Sequence, residues 1–498
     1  MAALNNQKRI DPVVFYVSLV LCILFVAWGV LSPTSMSTAS NAVLNYFITD
    51  FGWLYLFSVF IFLIFVVVIA LSKFGSIKLG KDDEKPEYST FAWLAMLFTT
   101  GMGIGLVFWS IAEPMYHFAA PPMGEGGTAE AAATAMRYTF FHWGLHAWAI
   151  FALVGLALAY FQFRKGMPGL ISSVFYPVLG DKVNGPIGKA IDILAVFATI
   201  FGLGTSLGLG TQQINSGLEF LYGVPNTPLV NILIIAVITA IFTFAAILGI
   251  DRAISFIANW TVYAAVALMI FLFILGPTRF ILNMFTETWG SYLNNIISMS
   301  LWTDAVEQKG WAGGWTIFYW AWWIAWGPFV GQFIARISKG RTIKEFVLGV
   351  LFVPTMFSFI WLSVFGATAL NLEIVQGVAI SEAIANDMAS ALFVTLAQFP
   401  LSAITSLLSI FVIAAFFVTS ANSGTFVVGM LTSRGSMDPS NGVKGIWGVV
   451  LGGVAAVLLL SGGLGALQTA SIAAAFPFML VILVMIYSLV KAFSEETV

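Results

Sequence analysis

Charged residues are scarce in this sequence: Asp, Glu, Lys and Arg make up 9% of its 498 residues, whereas 60% are hydrophobic. Soluble globular domains carry about 25% charged residues. A surface so poor in charge cannot face water on all sides, so much of it must face lipid. The net charge of −2 also excludes the basic field that would attract nucleic acid.

Cysteine is nearly absent, since Cys22 is the single one, and it lies inside an apolar run. A disulfide within the chain is therefore excluded. No polar stretch is long enough to bury a core of its own, so no large soluble domain is expected. The predicted spans contain no nucleophile–base pair or metal-ligand set, which argues against an enzyme. These absences predict an all-α integral membrane protein.

Long apolar runs take up most of the chain, and about 20 apolar residues are enough to cross a membrane as a helix. Lys8 and Arg9 precede the first run, which is too long for the apolar core of a secretory signal and is interpreted as a retained span. Twelve transmembrane helices are predicted, at about 12–31, 52–72, 91–117, 138–163, 189–221, 229–249, 254–277, 311–336, 343–370, 401–431, 443–461 and 468–490. The amphipathic segment 280–302 is expected to lie at the outer surface.

Basic residues support this arrangement, because cytoplasmic loops are enriched in Lys and Arg. With the N-terminus inside and twelve alternating spans, 18 of the 21 Lys and Arg residues fall on the cytoplasmic side. Arg137, Arg279 and Lys309 fall outside. The pattern predicts that both termini face the cytoplasm.

Glycine interrupts two of the predicted spans. The third contains Gly101-Met102-Gly103-Ile104-Gly105, and the eighth contains Gly327-Pro328 and Gly331. Glycine and proline are poor helix formers, and non-helical backbone within a membrane is tolerated only where it is buried in protein or lines a cavity. Broken spans in matching positions of two halves are typical of transporters with inverted repeats. The alternative is that these glycines only permit close helix packing.

This interpretation divides the chain into segments. Residues 1–90 are the N-terminal tail and two accessory spans, and residues 91–277 (spans three to seven) are the first repeat. Residues 278–310 are the amphipathic surface helix and linker, residues 311–490 (spans eight to twelve) are the second repeat, and residues 491–498 are a short cytoplasmic tail.

Aromatic residues are concentrated in the eighth span. At 100° per residue its members share an arc of roughly 100°; they are Trp315, Tyr319, Trp322, Trp323 and Trp326. In the fourth span Trp148 and Phe151 share a face, and Trp143 flanks it if the cavity is broad. Tryptophan cages bind quaternary ammonium groups through cation–π attraction. Interfacial anchoring is the alternative, but the last three tryptophans of the eighth span lie too deep for an aromatic belt.

Other polar residues in the spans carry weaker signals. His142 and His146 have the spacing of a metal-binding pair, but without an acidic or thiol partner we expect packing or hydrogen bonding. Glu113 and Asp192 are not assigned to a substrate. Hydroxyl clusters, which can bind sodium together with unwound carbonyls, occur at Thr419–Ser420 in the tenth span and at Thr199, Thr205 and Ser206 in the fifth. Such hydroxyls also often bond only to the preceding helical turn.

Taken together, residues 101–105, the Trp143/Trp148 pair, and residues 322–326 followed by 336–342 resemble the betaine–choline–carnitine transporter family. The resemblance covers nearly the whole chain. It implies twelve spans with the leucine-transporter-type five-helix inverted repeat, a homotrimer in the cell membrane, and a central site for a trimethylammonium substrate.

The resemblance also implies roles for individual residues. Substrate would be bound by Gly101, Met102, Gly103, Gly105, Trp143, Trp148, Phe151, Trp322, Trp323 and Trp326. Phe151 stands where betaine carriers often have tyrosine. A first sodium ion would be held by the carbonyls of Thr99 and Met102 and the side chains of Thr419 and Ser420, and a second by Thr199 and Phe329. Asn422 replaces a frequent aspartate near the first ion, and Leu203 replaces a hydroxyl ligand of the second.

Two further positions favour sodium-coupled uptake of a betaine, with no cofactor beyond the coupling ion. Gly105 lacks the acid of proton-coupled choline carriers, and Thr261 lacks the arginine of sodium-independent exchangers. The implied cycle is alternating access, in which spans three, four, eight and nine rock against the rest. The short C-terminal tail predicts weak osmotic gating. The alternatives are a carnitine or betaine exchanger or a choline transporter of the same fold, and, from another class, a channel or solute sensor.

Overall fold

The computed structural model describes residues 10–249 and 251–496, with the side chains of residues 251–253 left aside; Lys8 and Arg9 lie outside this part of the chain. The described residues form helices, joined by loops with short helical turns and one isolated β-bridge between Lys78 and Thr342. The fold class predicted from composition, an all-α membrane protein, is confirmed.

Within residues 10–249 and 251–496, fourteen long helices are numbered in chain order. They are α1 (Pro12–Leu31), α2 (Pro33–Leu71), α3 (Thr90–Thr100), α4 (Ile104–Ala119), α5 (Ala129–Trp143), α6 (Leu145–Ala159), α7 (Pro186–Tyr222), α8 (Pro228–Leu248), α9 (Asp251–Leu275), α10 (Thr278–Ser300), α11 (Phe318–Ile337), α12 (Ile343–Gln376), α13 (Ser402–Thr432) and α14 (Asn441–Ser494). Single π-helical turns follow α6 (Tyr160–Arg164) and precede α11 (Gly313–Ile317).

Local sequence explains where several helices begin and end. The Asp11 side chain accepts hydrogen bonds from the backbone N–H groups of Val13 and Val14, and Pro12 occupies the first turn of α1. Thr342 and Glu345 form a capping box at the start of α12. Helix α7 ends at Gly223, where a φ of 67° suits glycine.

Within the described residues, nine helices are long and apolar enough to cross a membrane, counting α5 and α6 as one, and the bent pair α3–α4 makes a tenth. The tryptophan-rich α11 and the amphipathic α10 are not among them. The predicted eleventh and twelfth spans lie in α14, whose 54 residues would measure roughly 80 Å if straight. Non-helical dihedral angles at Gly462 and Gly463 interrupt it.

The predicted break in the third span is present: α3 and α4 are bent by 58° across residues 101–103. The predicted break in the eighth span is wrong, because α11 is continuous through Pro328. A Cβ on Gly331 would lie 2.7 Å from Val154 Cγ1 on α6, so this glycine permits close helix packing. The fourth span is broken instead, at Gly144, where a Cβ would lie 2.6 Å from the Phe140 carbonyl oxygen.

Helices α3 to α6, α11 and α12 pack closely on one another. Helix α6 packs along α11, and α12 packs against α4, α5 and α6. Helix α7 packs against α11 on one side and against α13 and α14 on others. The predicted bundle helices therefore form one packed group, and both α7 and α14 pack against its helix α11.

Candidate functional site

A cavity lies at the break between α3 and α4, with about 490 Å³ of atom-free space that includes its opening to solvent. The side chains and backbone around it are mostly apolar, and none of the residues that line it is charged. The lining residues are Thr100, Gly101, Met102, Gly103, Gly105, Leu106, Trp143, Ala147, Trp148, Phe151, Trp322, Trp323, Trp326, Val330 and Ser358.

All ten residues predicted to bind substrate line this cavity. Trp315 and Tyr319, which share the face of the eighth-span tryptophans in the sequence, do not. Trp315 lies against His117, with ring centroids 4.4 Å apart, and the hydroxyl of Tyr319 bonds to Glu113. The helical arc predicted from the sequence is therefore divided between the cavity and a polar cluster beside it.

The cavity's aromatic rings form both stacked and edge-on pairs. Trp322 and Trp323 are stacked, with centroids 4.8 Å apart, and Trp143 meets Trp323 edge-on at 4.9 Å. Trp148 and Phe151 also pair edge-on, at 5.4 Å. Rings from three helices therefore form the walls of an aromatic box, an arrangement that can hold a quaternary ammonium group.

The three cavity tryptophans of α11 have their indole N–H groups bonded to protein atoms. Trp326 Nε1 donates to the Gly202 carbonyl oxygen at 2.9 Å, and Trp323 Nε1 donates to the His142 carbonyl oxygen at 2.9 Å. Trp322 Nε1 lies 3.2 Å from Ser206 Oγ. These bonds fix the ring orientations, and they satisfy polar groups that would be costly to leave unpaired inside a membrane.

Gly105 shows how tightly the box is built. A Cβ at this position would lie 2.4 Å from Trp322 Cη2 and 3.2 Å from Trp143 Cη2. Any side chain, including the acid of choline carriers, would displace these rings. At Gly103, by contrast, a Cβ would meet no atom within 4 Å.

The sequence prediction that His142 lacks an acidic partner is wrong. His142 Nδ1 lies 2.6 Å from Glu113 Oε1, and His117 Nε2 lies 3.2 Å from the same oxygen. Glu113 Oε2 accepts hydrogen bonds from Trp143 Nε1 at 2.8 Å and from the Tyr319 hydroxyl at 2.5 Å. Glu113 is fully buried. The contact crosses between α4 and α5, so sequence spacing does not reveal it, although the spacing of Glu113 and His117 on one face of α4 was a local signal.

The two histidines considered as a metal pair are in fact separate. His146 Nε2 bonds to Ser300 Oγ at 2.7 Å, away from Glu113. The expected hydrogen bonding of both histidines is confirmed. Ligand atoms of Glu113, His117 and His142 do lie within 4.8 Å of one another. Direct hydrogen bonds join the three side chains, and His117 Nδ1 is buried without a hydrogen-bond partner among the described residues.

Residues of the predicted first sodium site lie on α3, at the break, and on α13. The Thr99 carbonyl oxygen, the expected ligand, accepts the Met102 N–H at 3.2 Å, and the Thr419 hydroxyl donates to the Ala415 carbonyl oxygen at 2.9 Å. Both oxygens keep a lone pair for a cation. Helices α4 and α13 meet at Gly210 on α7, where a Cβ would lie 3.1 Å from Ile104 Cγ2 and 3.3 Å from Phe417 Cδ2. Ser420 is half-buried beside Thr419.

The predicted second sodium site is less favourable. Thr199 is buried and its hydroxyl donates to the Ala195 carbonyl oxygen, while Phe329 packs edge-on against Trp326. Leu203 fills the space beside α13, because a Cβ on Gly424 would lie 2.2 Å from Leu203 Cδ1. An apolar side chain therefore occupies the position of one expected ligand.

Comparison with known proteins identifies the family of this chain. The model of the BCCT family, described as the betaine/carnitine/choline family transporters, matches residues 13–498. The chain belongs to this family. It is a multi-pass membrane transporter and not an enzyme.

Similar curated proteins cover almost the whole transporter. A probable glycine betaine transporter of Desulfitobacterium hafniense is 56% identical over 97% of both chains. The glycine betaine transporter OpuD of Bacillus subtilis is 50% identical over 97% of this chain and 94% of its own. An ectoine/hydroxyectoine transporter of Virgibacillus pantothenticus is 44% identical over 98% of both chains.

Proposed function

We propose that this transporter takes up glycine betaine, coupled to sodium, by alternating access across the cell membrane. The observation that carries the proposal is the uncharged box formed by Trp143, Trp148, Trp322 and Trp323 around the cavity at the α3–α4 break. A trimethylammonium group has no N–H donor, so it can be bound by ring faces without a carboxylate. Each desolvated cation–π contact contributes about 2 kcal/mol.

The names of the relatives support the choice of substrate. Two of them, at 56% and 50% identity, are described as glycine betaine transporters, whereas the ectoine transporter is 44% identical. Sodium as the coupling ion is supported by the hydroxyls of Thr419 and Ser420 and by the unwound carbonyls near Met102. We propose no cofactor beyond the coupling sodium ion.

The proposed architecture has twelve spans with an inverted repeat, both termini in the cytoplasm, and three copies in the assembly. The count of twelve is reached from the ten candidate spans by including α11 and by dividing α14 into two spans at Gly462 and Gly463. In the cycle, the packed group of α3–α6, α11 and α12 moves against the remaining helices. Helix α7 contacts both parts, so it lies where relative movement would occur.

Exchange without sodium is the second candidate, and one observation favours it. Leu203 is packed where the second sodium site needs a hydroxyl ligand. An exchanger on the same fold would need internal substrate rather than an ion gradient.

Uptake of radiolabelled glycine betaine into proteoliposomes separates these functions. Saturable accumulation that requires an inward sodium gradient, and that fails when potassium replaces sodium, is the expected result. Uptake that ignores sodium and requires substrate inside the vesicles would instead establish exchange. Flux without saturation or accumulation would point to a channel and contradict both.

A further inference from the structure

The buried carboxylate of Glu113 lies directly behind the aromatic box. It does not line the cavity, but its Oε2 accepts the indole N–H of Trp143, whose ring does. We propose that Glu113 is a positioning residue that selects for a positively charged substrate head group through Trp143. This inference rests on the proposed function and adds a source of charge selectivity to it.

The hydrogen-bond geometry fits an ionised carboxylate. A carboxylate has about four acceptor positions, and Glu113 has four partners: His117, His142, Trp143 and Tyr319. The indole N–H can only donate, so Oε2 must accept. His142 Nε2 lies 2.9 Å from Thr316 Oγ1, whose hydroxyl can donate to it when the ring is neutral. With both histidines neutral and donating to Glu113, the network accommodates an ionised carboxylate.

The partners of Glu113 connect three helices of the bundle. Glu113 and His117 lie on α4, His142 and Trp143 lie at the end of α5, and Tyr319 lies on α11. Trp143 is the last residue of α5 and immediately precedes the break at Gly144. The helix does not continue past it, so the backbone alone constrains the orientation of its ring less. The bond to Glu113 therefore fixes a cavity ring at a point where the backbone is irregular.

This placement has an electrostatic consequence. An ionisable residue inside a membrane is costly and by default marks a functional position. No charged side chain lines the cavity. Without substrate, no positive charge therefore lies on the cavity side of the Trp143 indole ring to balance an ionised Glu113. A trimethylammonium group bound on Trp143 would compensate that charge, and the carboxylate would increase the electron density of the indole through its N–H bond. A ligand of the same shape without the positive charge would gain nothing from it.

The test compares glycine betaine with 3,3-dimethylbutanoate, the isostere in which carbon replaces the quaternary nitrogen. Binding of radiolabelled glycine betaine to the purified, reconstituted transporter gives its Kd, and competition gives that of the isostere. For Glu113→Gln we expect glycine betaine to bind about tenfold more weakly, while the isostere is unchanged. The preference for the charged ligand should therefore fall about tenfold as well.

Asp192→Asn is the matched control. Asp192 is a second buried carboxylate, on α7, and its oxygens bond to the backbone N–H and the hydroxyl of Ser172. The same isosteric loss of charge there should leave the ratio of the two dissociation constants unchanged. Glu113→Asp keeps the charge but withdraws it from Trp143, so its ratio should lie between those of the wild type and Glu113→Gln.

The proposal would be overturned if the ratio of the two dissociation constants in Glu113→Gln equals that of the wild type. This holds whether both affinities are unchanged or both fall in parallel. If Glu113→Gln does not fold, Glu113→Asp decides, and an unchanged ratio there would overturn it too. Failure of the wild-type protein to bind glycine betaine at all would contradict the proposed function instead, so the two failures are distinguishable.

Discussion

The carbonyl oxygen of Gly202 on α7 accepts the indole N–H of Trp326 on α11 at 2.9 Å. Trp322 Nε1 approaches the same oxygen at 3.3 Å. This close approach requires glycine, because a Cβ on Gly202 would lie 2.9 Å from Trp326 Cδ1 and 3.0 Å from Ala325 Cβ. One backbone carbonyl of α7 therefore anchors two rings of the cavity.

Gly202→Ala should push α11 and its tryptophans away from α7. We expect the KM for glycine betaine to rise about tenfold or more, because an overpacked contact costs about 1–3 kcal/mol. Uptake kinetics in proteoliposomes measure it. Gly204→Ala is the control, since the nearest neighbour of its added Cβ would be Val454 Cγ1 on α14 at 3.3 Å, and no ring atom lies within 3.9 Å. Equal KM values for both variants would show that the Gly202 contact does not govern binding.

Trp148→Ala removes one wall of the box. Loss of a cation–π contact of about 2 kcal/mol corresponds to about thirtyfold weaker binding of glycine betaine. Trp148→Phe keeps an aromatic face and should retain part of the affinity. The measurement is substrate binding to purified protein, compared with the amount of folded protein. Unchanged affinity in Trp148→Ala would mean that the substrate lies elsewhere.

Thr419→Val removes a proposed sodium ligand and keeps the side-chain shape. We expect the sodium concentration for half-maximal uptake to rise several-fold, with a smaller effect at saturating sodium. Thr425→Val is the matched control on the same helix, because that hydroxyl donates to the Asn422 carbonyl oxygen. If the two variants require the same sodium concentration as the wild type, Thr419 is a packing residue and the first sodium site is misplaced.

The side chain of Glu496 forms ion pairs with Arg164 and Lys165, which follow α6. Its Oε2 accepts hydrogen bonds from Arg164 Nη2 at 2.7 Å and Nε at 3.0 Å, and Lys165 Nζ lies 2.8 Å from Oε1. The hydrogen bond from Arg164 is the largest contribution that lowers the pKa of Glu496, from 4.5 to about 2. Because the folded-state pKa is depressed, the stabilising contribution is present above about pH 4.5 and is lost as the pH falls toward 2.

Glu496→Gln should therefore lower the Tm of the detergent-solubilised transporter at pH 7. The difference from the wild type should shrink between about pH 4.5 and pH 2. Thermal unfolding across that range is the measurement. Glu495→Gln, at the exposed neighbouring residue, serves as the control. A difference in Tm that does not change with pH would contradict an ionic role for Glu496.

Local sequence determined much of this protein. Apolar runs of sufficient length must be helical in a membrane, because the backbone has no water to bond with, so the predicted spans overlap the observed helices. The glycines of residues 101–103 weaken a helix wherever they occur, and the α3–α4 bend follows. Trp322, Trp323 and Trp326 share a helix face by period alone, so their joint presence in the cavity was predictable.

Tertiary packing decided the rest. Gly331 looked like part of a second break, yet α11 is continuous, because neighbouring helices can stabilise a span that contains glycine and proline, and Gly331 packs on Val154. The partnership of Glu113 with His142 and Trp143 joins residues that are about 30 positions apart, which no local period encodes. Its position behind the box depends on how α4, α5 and α11 pack, and that packing is set by the shapes of side chains across three helices.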